Sequence, residues 1–462
     1  MMHTGDSDGS VVRRGRADDH QSTAAGTGQE LSIQVASDAS DELGAVGSSS
    51  SSTSSPSDAK RSKKKEATSG GAKTNPANAP RKILFLDGLR GIASVLVVTE
   101  HVGYMGDVNL GNCAVDIFFV LSSFLLTWLF YKKSEQLLAQ QASLRKWGFA
   151  LADYFSKRFF RVYPLFMLVA VFLWLLPFEY KKQYFHVKQP DQFDLFQVLT
   201  FNFEHRFHVF WTLPLEIAYY FLIPILVLSA LYLRHAWWVP CIPLYYWVWH
   251  DGWHSFRGDH QRLWNHLPTF VCGSLTAIVY VKIEAAIKRH SFEFKPAHVY
   301  AVRTVEFVTF WLLLSVSYRC LWFHWFFDNP APVNNGSRFI SFHVTLLILI
   351  EMILPSVLSE ALEWSVLRHW GKIGFSVYLL HSFVIYNDTV RSQQNYYDKL
   401  VLIFFLSHVL GTVSFHLFEH PCQVLSTRIS KLLADMANGH ALYLPVASSP
   451  PPPSKSGKSF TA

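Results

Sequence analysis

The segment LDGLRGIASVLVVTEH, residues 86–101, places four ionisable side chains within or beside an apolar helix. They are Asp87, Arg90, Glu100 and His101. A charge near the centre of a bilayer costs at least roughly 2.5 to 3.5 kcal/mol on insertion scales, so such residues usually mark a substrate path or a catalytic group. The segment therefore predicts a membrane helix that carries part of an active site.

The composition extends this prediction to most of the chain. Of 462 residues, 50% are hydrophobic and only 16% are charged, which is typical of a polytopic membrane protein. Because lipid offers no partners to backbone polar groups, long apolar stretches imply an all-α membrane helical bundle. We expect about ten transmembrane helices, near residues 85–104, 113–131, 160–178, 209–233, 236–250, 266–282, 304–322, 339–358, 372–387 and 400–418.

Polar segments flank this predicted bundle and define the expected domains. Residues 1–80 are rich in Ser, Gly, Ala and Thr and have almost no large apolar side chains, so we expect a disordered cytosolic tail. The membrane domain is expected over residues 81–430. Residues 431–462, which include prolines at 450–453, are expected to form a second disordered tail.

The distribution of basic residues predicts the orientation. With a cytoplasmic N-terminus, the loops after the second and the sixth predicted helices are rich in Lys and Arg and lie inside. The opposite loops are poorer, except 179–208. Glycosylation signals at Asn335 and Asn387 fall in loops that this orientation places outside, so we expect the ER, the Golgi or the plasma membrane.

Arg90 and His101 are expected to share a helix face. Eleven residues correspond to about 1100°, roughly 20° from three full turns, with a rise of about 16 Å. This spacing suits a long molecule held by its charged end, such as an acyl-CoA. Taken singly, Arg90 is more often an orientation-setting arginine and His101 more often a hydrogen-bonded packing histidine than a functional residue. Their shared helix face favours a functional role.

Further polar residues lie at the ends of other apolar stretches. Asp116 begins the second predicted helix, and Glu216 is a lone carboxylate in the fourth. Arg158 and Arg161 are i,i+3 neighbours that could grip phosphates bidentately, although positive-inside bias also accounts for arginines there.

No metal site is expected. Five cysteines are scattered without a C-x-x-C spacing, and the histidines between 250 and 266 fit no familiar ligand pattern. His381 and Glu419 are as well explained by polar links between helices as by catalysis.

Six motifs in this order resemble the acyltransferase 3 family of integral membrane acyltransferases, over residues 83–425. They are LDGLRG followed by His101, VDIFFVLS from residue 115, Arg158-x-x-Arg161 with Tyr163-Pro164, Trp211 to Glu216, Gly371 to His381, and Glu419-x-Pro421.

The resemblance implies transfer of an acyl group, commonly acetyl, from cytosolic acyl-CoA to a hydroxyl, often on a carbohydrate. His101 is then the implied base. Arg90, Arg158 and Arg161 are the implied CoA-phosphate or active-site arginines. Asp116 or Glu216 is expected to orient the imidazole, and Arg90 or another donor to stabilise the oxyanion. The expected partners are acyl-CoA, a hydroxyl-bearing acceptor and the bilayer, with no nucleic acid.

The chain departs from the family pattern at three positions. Ser123 replaces the usual Gly, Ile217 replaces the second acid of a Glu-Glu pair, and Glu100 replaces a more neutral neighbour of the histidine.

Two other functions fit the residues. Intramembrane His, Arg and Glu also build proton relays, so a transporter or lipid-handling protein is an alternative. A degenerate scaffold that binds through its 1–80 tail is a third hypothesis.

Overall fold

Helices form the computed structural model, which describes residues 83–103, 110–254, 260–318, 322 and 340–438. Over these ranges there is no strand, in agreement with the all-α prediction. The helices are α1 (Leu84–Val102), α2 (Leu110–Ala139), α3 (Leu144–Leu175), α4 (Phe178–Phe185), α5 (Leu195–Leu199), α6 (Thr212–Tyr232), α7 (Trp238–His254), α8 (Leu263–His290), α9 (Pro296–Ser317), α10 (Ile340–Ile353), α11 (Val357–Leu362), α12 (Ser365–Lys372), α13 (Gly374–Ile385), α14 (Asp388–Arg391), α15 (Tyr396–Ser414) and α16 (His420–Asn438).

A described helix overlaps each of the ten apolar stretches predicted from the sequence. Six spans in the described ranges are long and apolar enough to cross a membrane: α2, α3, His208–Tyr232, α8, α9 and Tyr396–Asn438. The last of these joins α15 and α16 through a π-helical turn, Phe415–Glu419. The protein is therefore an integral membrane helical bundle, and the count of ten spans stays a prediction.

The outer faces of these spans carry large apolar side chains. Leu175 is 68% exposed, Ile225 61% and Phe405 61%. In water such surfaces would favour aggregation, whereas hydrocarbon solvates them. The exposed apolar residues therefore face lipid.

Glycines allow α1 to approach α12 very closely. A Cβ added at Gly91 would lie 2.0 Å from the Leu367 carbonyl oxygen, and one added at Gly371 would lie 1.8 Å from the Asp87 carbonyl oxygen. Only the absence of a side chain permits backbones to meet at this distance. The glycines of the LDGLRG motif thus fix the position of α1, which carries Arg90 and His101.

A similar contact joins α2 and α8 at Ser123, the position where the family usually has glycine. Ser123 is 1% exposed, and its Oγ donates to the Val120 carbonyl at 3.1 Å. The facing residue is Gly273, where an added Cβ would lie 2.1 Å from that Oγ. The missing side chain of Gly273 therefore makes room for the Ser123 hydroxyl.

A buried ionic cluster connects α9 and α10. The Arg303 guanidinium contacts Glu306 and, at 3.3 Å, Glu351, and it donates to the carbonyl oxygen of Leu354 at 2.6 Å. The Ser356 hydroxyl donates to Glu351 at 2.7 Å. These charges are paired and hydrogen-bonded, as buried charges must be, and the cluster links α9 to α10.

Some of the sequence predictions concern residues near the ends of the described segments or outside them. α16 ends at Asn438, so the expected domain boundary at residue 430 falls inside a helix. Asn335 lies outside the described residues, as does the expected tail over residues 1–80.

Candidate functional site

Three arginines from two helices line one cavity of about 110 Å³. Arg90 comes from α1, and Arg158 and Arg161 come from α3, where their i,i+3 spacing puts them on one face. Helices α2, α6 and α13 complete the walls with mainly apolar and aromatic residues, which include Val115, Phe118, Phe119, Leu125, Leu213, Phe375 and Tyr378. An apolar cavity with convergent guanidiniums is suited to an anionic ligand.

The charges of this cavity are only partly balanced. Arg90 pairs with Asp87 at 3.0 Å on its own helix. Glu216 also lines the cavity, interacts electrostatically with Arg90 and Arg161, and accepts a hydrogen bond from the Tyr220 hydroxyl at 2.9 Å. The Nε atom of Arg158 is buried and has no hydrogen-bond partner among the described residues. A buried donor without an acceptor is costly, so the geometry leaves a place for an anion.

A second polar group is made of histidines. His101 lies in the last turn of α1, His381 lies on α13, and His208 begins the turn that leads into α6. The ring centroid of His101 lies 4.9 Å from that of His208 and 4.9 Å from that of His381. Residues far apart in the sequence thus converge at the end of α1 distant from Arg90.

Backbone hydrogen bonds fix the tautomers of two of these rings. The Nδ1 atom of His101 lies 2.9 Å from the Val97 carbonyl oxygen, and that of His381 lies 3.1 Å from the Val377 carbonyl oxygen. Because a carbonyl can only accept, Nδ1 carries the proton in both rings. In the neutral imidazole Nε2 then has a free lone pair, as a general base requires.

Two helices lead from the arginine cavity to the histidine cluster. Thr212 lines the cavity one turn after His208, and Tyr378 lines it one turn before His381. The Tyr378 hydroxyl lies 3.0 Å from the Thr212 hydroxyl and donates to the Val209 carbonyl at 2.9 Å. This hydrogen-bonded link lies between the arginine cavity and the histidine cluster.

His186 borders the cluster from outside the membrane spans. Its ring centroid is 4.8 Å from that of His208. Burial, with further contributions from His101 and Arg391, lowers the pKa of His186, so its imidazole is neutral at pH 7. Both His186 and His208 have left-handed backbones, with φ of 53° and 42°. Such strain in non-glycine residues is concentrated at functional sites.

The structure distributes the candidate residues unevenly. Arg90, Arg158, Arg161 and Glu216 line the cavity, whereas His101 lies in the histidine cluster. Asp116 is buried in α2 and is not a lining residue of the cavity. The expectation that a carboxylate orients His101 has a simpler alternative in the structure, because the Val97 carbonyl already holds Nδ1.

Sequence reasoning missed His208, and it left His381 open between a polar link between helices and a catalytic residue. His381 ends the Gly371–His381 motif, which was a usable indication. His208 lies in the 179–208 loop, where no spacing relates it to His101, so only the fold reveals it. Glu419 remains a link, since the Ser376 hydroxyl on α13 donates to its carboxylate at 2.8 Å.

Comparison with known proteins gives a consistent result. The model of the acyltransferase 3 family, described as an acyltransferase domain, matches residues 83–417. "Putative peptidoglycan O-acetyltransferase YrhL" of Bacillus subtilis is 26% identical over 378 residues, which are 75% of this chain and 56% of that protein. "O-acetyltransferase OatA" of Staphylococcus aureus is 23% identical over 377 residues, 74% of this chain and 57% of its own.

A shorter match covers "Protein 2 in picA locus" of Rhizobium radiobacter, with 35% identity over 92 residues, 19% of this chain and 42% of that protein. No solved structure matches. The chain thus spans just over half the length of the two O-acetyltransferase relatives.

Proposed function

The chain belongs to the acyltransferase 3 family, and we propose that it transfers an acetyl group from acetyl-CoA to a hydroxyl of a carbohydrate-containing acceptor. The family makes it an acyltransferase that moves groups other than aminoacyl groups. The names of YrhL and OatA specify O-acetyl transfer, and the name of YrhL specifies peptidoglycan. These names support acetyl as the group and a carbohydrate polymer as the class of acceptor.

The observation that carries the proposal is the alignment of an anion-binding cavity with a histidine along one helix. Arg90 and His101 are separated by eleven residues of α1, a rise of about 16 Å. An extended acyl-CoA has phosphates at one end and its thioester at the other, joined by a narrow arm of comparable length. The arginines would hold phosphates while the thioester reaches His101.

Arg158 and Arg161 are the main phosphate ligands in this arrangement. The buried Nε of Arg158 meets no hydrogen-bond partner in the part of the chain that the structure describes. Arg161 is exposed, so it can contact an incoming acyl-CoA first. Arg90 lies about three turns from His101, too far to contact the same acyl carbon. We therefore assign Arg90 to the donor's charged end rather than to the oxyanion.

His101 supplies the base. Its Nε2 takes the proton of the acceptor hydroxyl as that oxygen attacks the thioester carbonyl carbon. The tetrahedral intermediate then expels the CoA sulfur, the carbon–sulfur bond breaks, and the imidazolium returns its proton to the thiolate. The products are the O-acetyl ester and CoA, with the histidine regenerated.

The test follows a labelled acetyl group. Membranes that contain the wild type or His101→Gln receive acetyl-CoA labelled in the acetyl group, and the polysaccharide, lipid and small-molecule fractions are separated. We expect label to enter one fraction with the wild type and to fall at least about 100-fold with His101→Gln, the usual contribution of a general base.

His408→Gln is the matched control, because His408 is a half-buried histidine on α15 outside the site. It should transfer at the wild-type rate. Equal labelling by His101→Gln and the wild type, at equal amounts of folded protein, would exclude His101 as the base. Substrate movement that needs His101 without covalent labelling would indicate the transporter alternative.

A further inference from the structure

We propose that His101, His208 and His381 together bind a divalent transition-metal ion such as Zn²⁺. One ring nitrogen of each of the three residues lies within 4.8 Å of the others. Three imidazoles on separate helical elements are a common ligand set for zinc, which leaves a fourth position for water or substrate. No ligand spacing predicts this set of histidines, because the three residues meet only in the folded bundle.

The ring nitrogens that face the cluster are available as ligands. His381 is fully buried, with 0% exposure, and its Nε2 has no hydrogen-bond partner among the described residues. The Nε2 of His208 is likewise buried and unpartnered. Two such buried nitrogens are costly to leave unsatisfied, and a bound cation would satisfy both at once.

The hydrogen bonds behind the cluster favour metal binding. His101 and His381 donate Nδ1–H to the carbonyls of Val97 and Val377. A metal-bound histidine almost always donates its other ring N–H in this way, which fixes the ring and raises the basicity of the ligand. Both helices therefore present Nε2 in the tautomer that a metal needs.

The required movement is small. Zinc–nitrogen bonds of about 2.0 to 2.1 Å in tetrahedral geometry place ligand nitrogens roughly 3.3 Å apart. The present separations are no more than 4.8 Å, so they would have to shorten by at most about 1.5 Å for one ion to bind all three nitrogens.

Binding has a consequence for catalysis that rests on the proposed function. A metal occupies the lone pair of His101 Nε2, which can then take no proton from an acceptor hydroxyl. The ion and the transfer reaction thus exclude one another, and Zn²⁺ is expected to inhibit the enzyme reversibly.

The test measures binding first. Full-length protein, purified in detergent without a histidine tag and stripped with a chelator, is titrated with Co²⁺, whose tetrahedral complexes absorb visible light. We expect one tetrahedral site in the wild type and in His408→Phe. His381→Phe and His208→Phe keep a ring but lose a ligand, and each should weaken Co²⁺ binding at least about tenfold. Two variants are used so that a folding defect in one leaves the test intact.

Activity of the same samples is measured with and without Zn²⁺. The proposal is overturned if the wild type gives no tetrahedral Co²⁺ absorption, or if both phenylalanine variants bind like the wild type. It is also overturned if Zn²⁺ accelerates acetyl transfer, since the ion would then not be blocking the nitrogen of His101 that acts as the base. Failure of the proposed function would give a different result, because the metal-free wild-type protein would then transfer no acetyl group.

Discussion

At the residue scale, the donor site depends on a few guanidinium groups, and Arg161 is the most accessible of them. Arg161→Gln keeps a polar side chain but removes the charge. A hydrogen bond to a charged group contributes about 1.5 to 3 kcal/mol, so we expect KM for acetyl-CoA to rise roughly 10- to 150-fold with little change in kcat. Steady-state kinetics with varied acetyl-CoA measure this.

Arg145→Gln provides the comparison on the same helix. Arg145 is exposed at the start of α3, where its guanidinium donates to the Met436 carbonyl at 3.0 Å. It does not line the cavity. A wild-type KM in Arg145→Gln and a raised KM in Arg161→Gln would support the donor site. An equal rise of KM in both variants would mean that the positive charges of α3 act only by orienting the protein in the membrane.

Tyr378 tests the link between cavity and histidines. Tyr378→Phe removes the hydroxyl that donates to Val209 and meets Thr212. Loss of one such hydrogen bond costs about 1 kcal/mol, and the Val209 carbonyl is next to His208 in the chain. We expect Tm to fall by a few degrees and transfer to fall several-fold, because the turn that carries His208 is released. Thermal unfolding in detergent and initial rates measure the two effects; unchanged values of both would show that the link is dispensable.

At the scale of elements, close helix crossings hold the site in place. Gly371→Ala would push a Cβ to 1.8 Å from the Asp87 carbonyl oxygen, and backbone can yield only if α1 and α12 separate. Overpacking of this kind typically costs 1 to 3 kcal/mol, and about an ångström of movement in α1 shifts Arg90 and His101 together. We expect lower Tm, lower folded yield and strongly reduced transfer.

Gly148→Ala is the matched substitution. Gly148 is an exposed helical glycine of α3, and an added Cβ meets nothing within 4 Å. Alanine is favoured over glycine in a helix by about 1 kcal/mol, so this variant should be as stable as the wild type or more so. If both alanine variants behave alike, the crossing of α1 and α12 is looser than the structure shows.

The elements themselves were largely predictable. Apolar stretches of membrane-spanning length identify helices because lipid enforces internal hydrogen bonding, and each predicted stretch is overlapped by a helix. Hydropathy does not identify the crossing partners. Gly91 contacts Leu367 because segments distant in the sequence approach each other in the fold. Nothing in the local composition of α12 predicts this contact.

At the scale of the whole molecule, some residues of the candidate site could be predicted from the sequence and others could not. Arg90, Arg158, Arg161 and Glu216 were predicted as site residues from motifs, and the fold brings all four to one cavity. His208 could not be identified, because its relation to His101 depends on how α1, α6 and α13 pack. Local patterns specify which residues carry chemistry within a helix, whereas groups shared between helices require the fold.

The functional proposal also requires an orientation, with the arginine cavity toward the cytosolic donor and the histidines toward the acceptor. The short loop from α2 leads into the first residue of α3, and the long connection to α6 leaves its last residue. Because α3 is long and apolar enough to span the membrane, we expect the two segments on opposite sides. The basic residues near the first loop predict that it is cytosolic. Ser143 in that loop and Asp191 in the other connection are both exposed and report the two sides.

Each position is replaced by cysteine in a chain without its five native cysteines. The variants are produced in a bacterial host, whose plasma membrane receives them, and intact cells are treated with a membrane-impermeant maleimide. We expect Asp191→Cys to react in intact cells and Ser143→Cys to react only after permeabilisation. The cysteine-free parent, which should stay unlabelled in both conditions, is the control. The reverse pattern would place the histidine cluster on the donor's side. Acetyl-CoA that enters from the cytosol could then not place its phosphates at Arg158 and Arg161 and its thioester at His101. The proposed orientation of acetyl-CoA along α1 would have to be reversed.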